Sequence, residues 1–339
     1  MKAPPFWWHP FGWQASLLAP IAWSYGAVAR RRLDNGRRAH VAAPVICVGN
    51  PTLGGSGKTP TVLALGRAAK RLGLQPGFLS RGYGGSLEAP TLVSRTRHRA
   101  DEVGDEPLML ADAGPAAIAV DRKAGAELLC GQAGVDLIIM DDGFQSARLA
   151  TDYALLVIDG MRGLGNGAVF PAGPLRAPLD AQLAHADALL LVGEGRAGEP
   201  VARIAADHGK PLIRAAMHPR DPDRFRGRRV LAFAGIGDPD KFYRSLRAAG
   251  ADLVETLDFP DHHRLSDDDM RALIAASERH GLQLVTTTKD AARLHGETGR
   301  AQALADRLET FDVDLIFHPE AAADEIVRAA LATFERRRG

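Results

Sequence analysis

The chain contains few cysteines, and its positive and negative charges nearly balance. The two cysteines, Cys47 and Cys130, lie in apolar segments and form no CxxC pair. This pattern excludes a disulfide framework and a cysteine-based zinc site, and it suits a reducing compartment. A net charge of +1 over 339 residues excludes nucleic-acid binding driven by bulk electrostatics. No feature of the sequence indicates an obligate protein partner.

A glycine-rich turn follows the apolar run Val45–Val48 and opens a helical segment at Lys58. The order of strand, turn and helix is typical of a phosphate-cradling P-loop. Glycines allow the backbone amides to point at a phosphate, and the following helix adds the positive end of its dipole. Thr52 stands where the usual pattern has glycine. The predicted nucleotide site consists of Thr52, Leu53, Gly54, Gly55, Ser56, Gly57, Lys58 and Thr59.

Two acidic residues at the end of a second apolar strand complete the prediction of ATP and Mg²⁺ as cofactors. Lys58 is placed to reach the β- and γ-phosphates, and the Thr59 hydroxyl to ligate Mg²⁺. Asp141 and Asp142 follow the strand Leu137–Met140 in a Walker-B-like pattern. Because adjacent strand residues project to opposite sides, we expect only one of the two carboxylates to meet the metal directly.

Apolar strands alternate with helical stretches after Pro44, which predicts an α/β fold. Continuous apolar strands separated by helices indicate a P-loop NTPase-like parallel sheet with helices on both faces, and we assign it to residues 41–220. A smaller second α/β domain is predicted over residues 228–339, after a linker at 221–227. The strands of the first sheet are predicted at Val45–Val48, Gly77–Ser80, Ala116–Val120, Leu137–Met140, Ala154–Ile158 and Ala188–Val192.

Residues 1–40 differ from the rest in aromatic content and in charge. All four tryptophans lie in the first 25 residues, and no charge occurs from Phe11 to Ala29. Arg30–Arg32 follow, and the segment carries a net charge of +5 against −4 for the remainder. Tryptophan favours the membrane interface, and a basic cluster favours anionic headgroups. We therefore expect a membrane-associated N-terminal helix and a membrane surface as partner.

Four alternative structures are compatible with this N-terminal segment, which we call the leader. The uncharged run has the length of a short transmembrane span, although Pro20 weakens that interpretation, and an interfacial helix fits equally well. Ala27–Ala29 resembles a signal-peptide cleavage site, but cleavage would export an ATP-using domain away from ATP. The fourth alternative is a helix packed on its own domain.

Asp105 and His262 are candidate catalytic residues in separate parts of the chain. Asp105 lies in Gly104–Pro107, where it would serve as a general base or simply begin a helix. His262 lies in a proline-marked loop, where it would orient a carboxylate, take a proton or remain a surface residue. The segment Thr286–Asp290 lacks the spacing of a guanine-reading motif, so GTP specificity is not predicted.

The glycine-rich segment Ser80–Gly85 follows a strand. It would hold a phosphate, line an acceptor site or form a plain loop. Its candidate acceptor-binding residues are Ser80, Arg81 and Tyr83.

These segments together resemble the tetraacyldisaccharide 4′-kinase family, the lipid A kinases of Gram-negative bacteria. The resemblance runs from the aromatic leader to about Leu294 and includes a proline directly after the P-loop threonine. It rests on motifs in a fixed order, namely Val48–Asn50, Gly54–Pro60, Ser80–Gly85, Gly104–Pro107, Asp141–Gln145, Asp159–Gly160, Gly165–Gly167, Pro171–Arg176, Phe233–Gly237, Asp261–His262 and Thr288–Asp290.

The resemblance implies transfer of the ATP γ-phosphoryl group to the 4′-hydroxyl of a tetraacylated glucosamine disaccharide 1-phosphate, giving lipid IVA. It also implies action at the cytoplasmic face of the bacterial inner membrane. One departure from the family's pattern is Ala177, where glutamate is frequent. The roles it assigns are phosphate binding by Lys58, Mg²⁺ binding by Thr59, Asp141 and Asp142, a base dyad of Asp105 and His262, and substrate contacts by Ser80, Arg81, Tyr83, Gln145 and Arg176.

A membrane-recruited P-loop ATPase that acts as a switch or assembly factor is the alternative function. The P-loop, the Walker-B-like strand and the leader fit it equally well. Asp105, His262 and the second domain favour the kinase, because a switch has no need of them.

Overall fold

A nine-stranded sheet forms the larger unit of the computed structural model, which describes residues 3–338. The alternation predicted from the sequence accounts for six of its strands, and two more, Thr91–Leu92 and Leu212–Pro219, were not predicted. In chain order these eight strands are β1 Val45–Gly49, β2 Pro76–Ser80, β3 Thr91–Leu92, β4 Ala116–Ile118, β5 Leu137–Asp141, β6 Tyr153–Asp159, β7 Ala188–Val192 and β8 Leu212–Pro219. Among these eight strands, β3 and β4 pair antiparallel and all the other neighbouring pairs are parallel.

Helices cover both faces of this sheet, as predicted. Val45 and Cys47 of β1 face one core, whereas Ile46 and Val48 face the other. Because both faces are buried, the strand reads as a continuous apolar run rather than an alternating one. The helices of this part are α1 Trp13–Asn35, α2 Lys58–Arg71, α3 Ala100–Val103, α4 Asp105–Ala113, α5 Arg122–Ala133, α6 Leu179–Ala184 and α7 Gly198–Asp207.

A second, four-stranded parallel sheet forms the smaller unit. Its strands are β9 Arg229–Ala234, β10 Asp252–Asp258, β11 Gln283–Thr287 and β12 Leu308–Phe311, in the order β10-β9-β11-β12. The helix α9 begins after Ser266, whose hydroxyl accepts the backbone N–H of Asp269 in a capping box. The helices of this unit are α8 Pro239–Ala248, α9 Asp267–His280, α10 Thr288–Arg293 and α11 Arg300–Ala305.

The C-terminal segment returns to the larger unit, which corrects the predicted boundary of the second domain. Strand β13, Val313–His318, pairs antiparallel with β8 and forms the edge of the nine-stranded sheet. Helix α12, Ala322–Arg338, packs its Ile326 and Val327 into the core beside α2. The smaller unit therefore ends near Phe311, and the chain crosses between the units twice. The sheet order is β13-β8-β7-β6-β1-β5-β2-β4-β3.

Helix α1 packs on the larger unit and also exposes an apolar stripe. Ala15, Ala22 and Leu33 are buried against the unit. Trp13 and Leu17 are each 73% exposed. Among the helices of residues 3–338, none combines the length and apolar character needed to cross a membrane.

Candidate functional site

The loop between β1 and α2 forms a cradle of backbone amides. Gly54 and Gly57 adopt positive φ angles of 108° and 92°, which glycine tolerates without strain. A Cβ atom on Gly54 or Gly55 would meet no described atom within 4 Å, so the loop is open on that side. Helix α2 begins at Lys58, and its N-terminus points its unpaired N–H groups into the same cradle. This geometry suits an oxyanion such as a phosphate.

Asn50 organises the start of the loop, and the sequence analysis named it only within the motif Val48–Asn50, without a role. Its Nδ2 donates to the carbonyls of Thr52 at 2.6 Å and Gly54 at 3.0 Å, and its Oδ1 accepts Lys58 Nζ at 3.1 Å. Asn50 is fully buried. The only local signal for it was a polar residue directly after an apolar strand.

The threonine at the position of the usual first glycine is explained by a neighbouring segment. Thr52 forms an isolated antiparallel bridge with Leu175. The Leu53 amide donates to the Pro174 carbonyl at 2.8 Å, and the Arg176 amide donates to Pro51 at 2.9 Å. The loop entrance is therefore held as extended backbone, where threonine is accommodated.

Thr59 and Asp141 form the part of the site that fits a divalent cation. The Thr59 hydroxyl donates to Asp141 Oδ2 at 2.9 Å. Asp141 Oδ1 is buried and has no hydrogen-bond partner among residues 3–338. Burial, followed by the nearby charge of Glu106, raises the pKa of Asp141 to about 7. A buried carboxylate oxygen without a partner beside a hydroxyl is a donor set that Mg²⁺ accepts.

Asp142 turns away from Asp141 and binds cationic side chains. Its φ angle of 56° places the residue in the left-handed region. Arg176 donates to both of its carboxylate oxygens at 3.2 Å, and Lys58 Nζ lies 3.7 Å away. Burial opposes ionisation, but these two cations outweigh it and hold the pKa of Asp142 below its usual value. The two acids thus face different partners.

Asp105 and His262 lie next to each other although 157 positions separate them. His262 Nδ1 is 3.3 Å from Asp105 Oδ2, across the boundary between the two units. His262 has a φ angle of 60°, an unusual conformation for a residue other than glycine. Burial would raise the pKa of Asp105, but His262, Lys289 and Arg293 together hold it well below the usual range. The pair is therefore an ionised carboxylate beside an imidazole.

The five predicted acceptor residues all line the cleft, and two of them also support the P-loop. Arg81 and Tyr83 line the cleft, and the Tyr83 ring lies edge-on to His262 with centroids 5.5 Å apart. Ser80 is buried. Gln145 also lines the cleft, and its Nε2 donates to the Asn50 carbonyl at 2.9 Å. Arg176 supports the P-loop, because its Nε donates to the Thr52 carbonyl at 3.1 Å.

A single cleft of about 2070 Å³ between the two units joins these groups. The P-loop, Asp141 and Arg176 line it from the larger unit, while His262 and Lys289 line it from the smaller one. Arg293 of α10 and Arg122 of α5 were missed from the sequence, and Lys289 was named there only within the motif Thr288–Asp290, without a role. Arg122 is buried beside Arg81, and burial followed by that neighbouring charge lowers its pKa. A cleft with so many cationic side chains suits a polyanionic ligand.

The fold and the site define a P-loop phosphotransferase with an acid–imidazole pair whose histidine lines the same cleft as the phosphate cradle. The model of the tetraacyldisaccharide-1-P 4′-kinase family matches residues 14–332. The tetraacyldisaccharide 4′-kinase of Agrobacterium fabrum is 52% identical over 336 residues, which cover 99% of this chain and 96% of that protein. The corresponding protein of Rhizobium etli is 52% identical over 337 residues, covering 99% and 97%. The chain belongs to the tetraacyldisaccharide-1-P 4′-kinase family.

A solved structure supports the same assignment. The crystal structure of LpxK from Aquifex aeolicus in complex with ATP matches with a TM-score of 0.71 and 25% sequence identity. The match covers 94% of this chain and 99% of that one. These findings confirm the predicted fold class and favour the kinase over the switch-type ATPase.

Proposed function

We propose that the cleft binds ATP on the P-loop and transfers its γ-phosphoryl group to the 4′-hydroxyl of a tetraacylated glucosamine disaccharide 1-phosphate. The observation that carries this proposal is the placement of His262 and its partner Asp105 beside the same cleft as Lys58 and Asp141. A P-loop that only switches between nucleotide states needs no such pair. Membership of the kinase family supplies the substrate class.

Charge stabilisation is the task of the P-loop in this reaction. The loop amides and Lys58 hold the β- and γ-phosphates and offset the charge that develops as the bond to ADP breaks. Thr59 and Asp141 would hold Mg²⁺, which supplies further charge neutralisation when bound. Arg176 keeps Asp142 ionised and ties the loop entrance in place.

Proton removal from the acceptor is the task of Asp105 and His262. The acceptor oxygen forms its bond to the γ-phosphorus while its O–H bond breaks, and ADP leaves with the electron pair of the cleaved P–O bond. Asp105 Oδ2 already accepts from Arg293 and faces His262 Nδ1. The imidazole Nε2 is therefore the atom of the pair that we assign to the incoming proton.

Acceptor-dependent ADP release tests this function. We expect the purified chain with Mg·ATP to release ADP only slowly until the tetraacyldisaccharide 1-phosphate is added. A fully deacylated disaccharide 1-phosphate is the matched control for recognition of the acyl chains. ADP release at the same rate with and without acceptor would contradict the kinase function and favour a plain ATPase.

The exposed stripe of α1 supports docking on the cytoplasmic surface of the inner membrane. Trp13, Leu17, Ile21 and Val28 are all more than half exposed, and their spacing of four and seven residues places them on one face of the helix. Arg30–Arg32 lie at the end of this helix, where anionic headgroups would meet them. ATP is available on the cytoplasmic side. We therefore propose that the helix lies in the interface and holds the cleft near its lipid substrate.

Replacing Trp13, Leu17, Ile21 and Val28 together by serine should release the protein from anionic vesicles. Burying each large side chain is worth about 1.5–3 kcal/mol, so even partial burial predicts a loss of partition on the order of 100-fold or more. Nucleotide binding should not change, because the opposite side of α1 makes the contacts with the protein.

Vesicle sedimentation with this variant measures the effect. Val254→Ser, which removes an exposed apolar side chain from the smaller unit, is the control and should leave partition unchanged. Equal partition of the quadruple variant and the unaltered protein would show that another surface docks.

The affinity for Mg²⁺ should fall as the pH drops below about 7. The metal-free Asp141 has a pKa of about 7, primarily because of burial and then because of Glu106. Bound Mg²⁺ must displace the proton, so each pH unit below 7 should weaken apparent binding about tenfold. The same pKa affects the free energy of unfolding. Protonated Asp141 stabilises the folded state in full below about pH 4, and this stabilisation is lost as the pH rises through about 7.

Titration of Mg²⁺ in the presence of a non-hydrolysable ATP analogue at pH 5.5, 6.5 and 7.5 measures this dependence. The analogue alone, titrated at each pH, is the control for protonation of its phosphates. A constant metal affinity after that correction would argue against Asp141 as the ligand.

A further inference from the structure

Helix α10 carries an arginine that neither binds phosphate nor takes the acceptor proton in the proposed reaction. Arg293 reaches from the smaller unit into the larger one, and its side chain is only 9% exposed. Its Nε and Nη2 donate to Asp105 Oδ2 at 2.9 and 2.7 Å. Both hydrogen bonds are charge-assisted and end on the same oxygen, so the planar guanidinium fixes the position of Asp105 Oδ2.

The smaller unit holds Arg293 rigidly through Asp290 and Gly235. Arg293 Nη1 donates to the Gly235 carbonyl at 2.9 Å and pairs with Asp290 Oδ1. Asp290 Oδ1 also accepts the Gly235 amide at 3.1 Å, and Thr287 donates its hydroxyl to Asp290 Oδ2 at 2.7 Å. A Cβ on Gly235 would lie about 3 Å from both side chains, so a larger residue there would have to displace the carboxylate or the guanidinium by a few tenths of an ångström. The guanidinium has little freedom to move.

The Gly235 carbonyl also positions His262. The His262 amide donates to the Gly235 carbonyl at 3.1 Å, which is the oxygen that Arg293 Nη1 contacts. His262 Nδ1 lies 3.3 Å from Asp105 Oδ2, the oxygen that accepts from Arg293. Arg293 thus connects the carboxylate of one unit to the backbone that carries the imidazole of the other.

We propose that Arg293 is a positioning residue for phosphoryl transfer and fixes Asp105 against His262 when the two units meet. This inference rests on the proposed function, in which that pair removes the acceptor proton. Arg293 lies behind the carboxylate and acts through it. Its expected effect is therefore on turnover rather than on nucleotide binding.

The charges around Asp105 indicate what removal of Arg293 would change. Lys289 Nζ lies 4.0 Å from Asp105 Oδ2 and 3.1 Å from Glu106 Oε1, and Asp261 lies 3.8 Å from His262 Nε2. Without Arg293, the buried Asp105 and Asp290 would retain Lys289 as the nearest cation. The pKa of Asp105 should then rise, because one of the charges that favour its ionised form is gone.

Arg293→Met and Arg293→Lys test the proposal by steady-state kinetics. We expect Arg293→Met to lower kcat about 100-fold with the KM for ATP nearly unchanged, as for loss of an interaction used in the transition state. Arg293→Lys keeps the charge but loses the planar fork, so we expect an intermediate kcat. Arg271→Met, on an exposed face of α9, is the matched control and should match the unaltered protein.

Two further readouts separate positioning from a purely structural role. The acid limb of kcat/KM should move to higher pH in Arg293→Met. Arg293→Met should cost little more when His262 is already alanine, because no alignment of the imidazole is left to lose. Thermal unfolding of every variant identifies any that does not fold.

The outcomes distinguish this inference from the proposed function. If the unaltered protein phosphorylates no acceptor, the proposed function fails. If it does and folded Arg293→Met retains its kcat and pH profile, only the positioning role is overturned. If Arg293→Met does not fold, Arg293→Lys provides the test. An unchanged kcat and pH profile in Arg293→Lys would show that the planar guanidinium is not needed and would overturn the positioning role.

Discussion

Lys58→Ala should abolish phosphoryl transfer while leaving the fold intact. Lys58 is the cation at the mouth of the P-loop, and its Nζ is held by Asn50 Oδ1 at 3.1 Å. Loss of a charge at the transferring phosphoryl group costs several kcal/mol of transition-state stabilisation, or about 100- to 1000-fold or more in rate. Asp142 would keep Arg176 as a partner, so the variant leaves no unpaired acid at that position.

Single-turnover kinetics at saturating Mg·ATP and acceptor measure the effect. Lys123→Ala removes an exposed lysine of α5 that pairs with Glu127 and is the matched control. Turnover of Lys58→Ala within a few-fold of the unaltered protein would remove the P-loop from the mechanism.

Asp105→Asn and His262→Ala should each lower kcat strongly, and together they should cost little more than the worse of the two. The two side chains lie 3.3 Å apart and act on one proton. General-base groups contribute about 100- to 10,000-fold, and residues that work as a unit give losses that do not multiply. Asparagine is preferred to alanine at position 105, because Arg293 and Lys289 surround that buried side chain.

The neighbouring histidine supplies a matched control for this cycle. His263 pairs with Asp269 at 3.0 Å and stacks on Phe259, so His263→Ala should change kcat little. Binding of an ATP analogue should be similar in all variants. Fully multiplicative losses would indicate independent roles, and a harmless His262→Ala would return that residue to an ordinary loop position.

Local sequence patterns predicted the first sheet well because its strands are buried on both faces. β1, β2 and β5 lie within one residue of their predicted bounds, and each is a run of consecutive buried residues. The P-loop was equally visible, since strand, glycines and helix are adjacent in the chain. These features depend on interactions over a few residues.

Features that depend on distant pairing were not visible in the same way. β13 joins the first sheet by pairing antiparallel with β8, about one hundred residues earlier, and nothing in its own sequence specifies that partner. The contact between Asp105 and Arg293 spans 188 positions and arises only when the two units are folded together. Gln145 was predicted as a substrate residue, and its contact with the Asn50 carbonyl was equally hidden.

The position of the transferred phosphate on the lipid decides whether the protein is a 4′-kinase. The protein is incubated with tetraacyldisaccharide 1-phosphate and ATP labelled in the γ-phosphate, and the lipid product is examined by ³¹P NMR and tandem mass spectrometry. We predict one new phosphate per lipid, located on the 4′-oxygen, in amounts equal to the ADP formed, and none with Lys58→Ala. Label recovered as inorganic phosphate, or on any other oxygen of the lipid, would contradict the account.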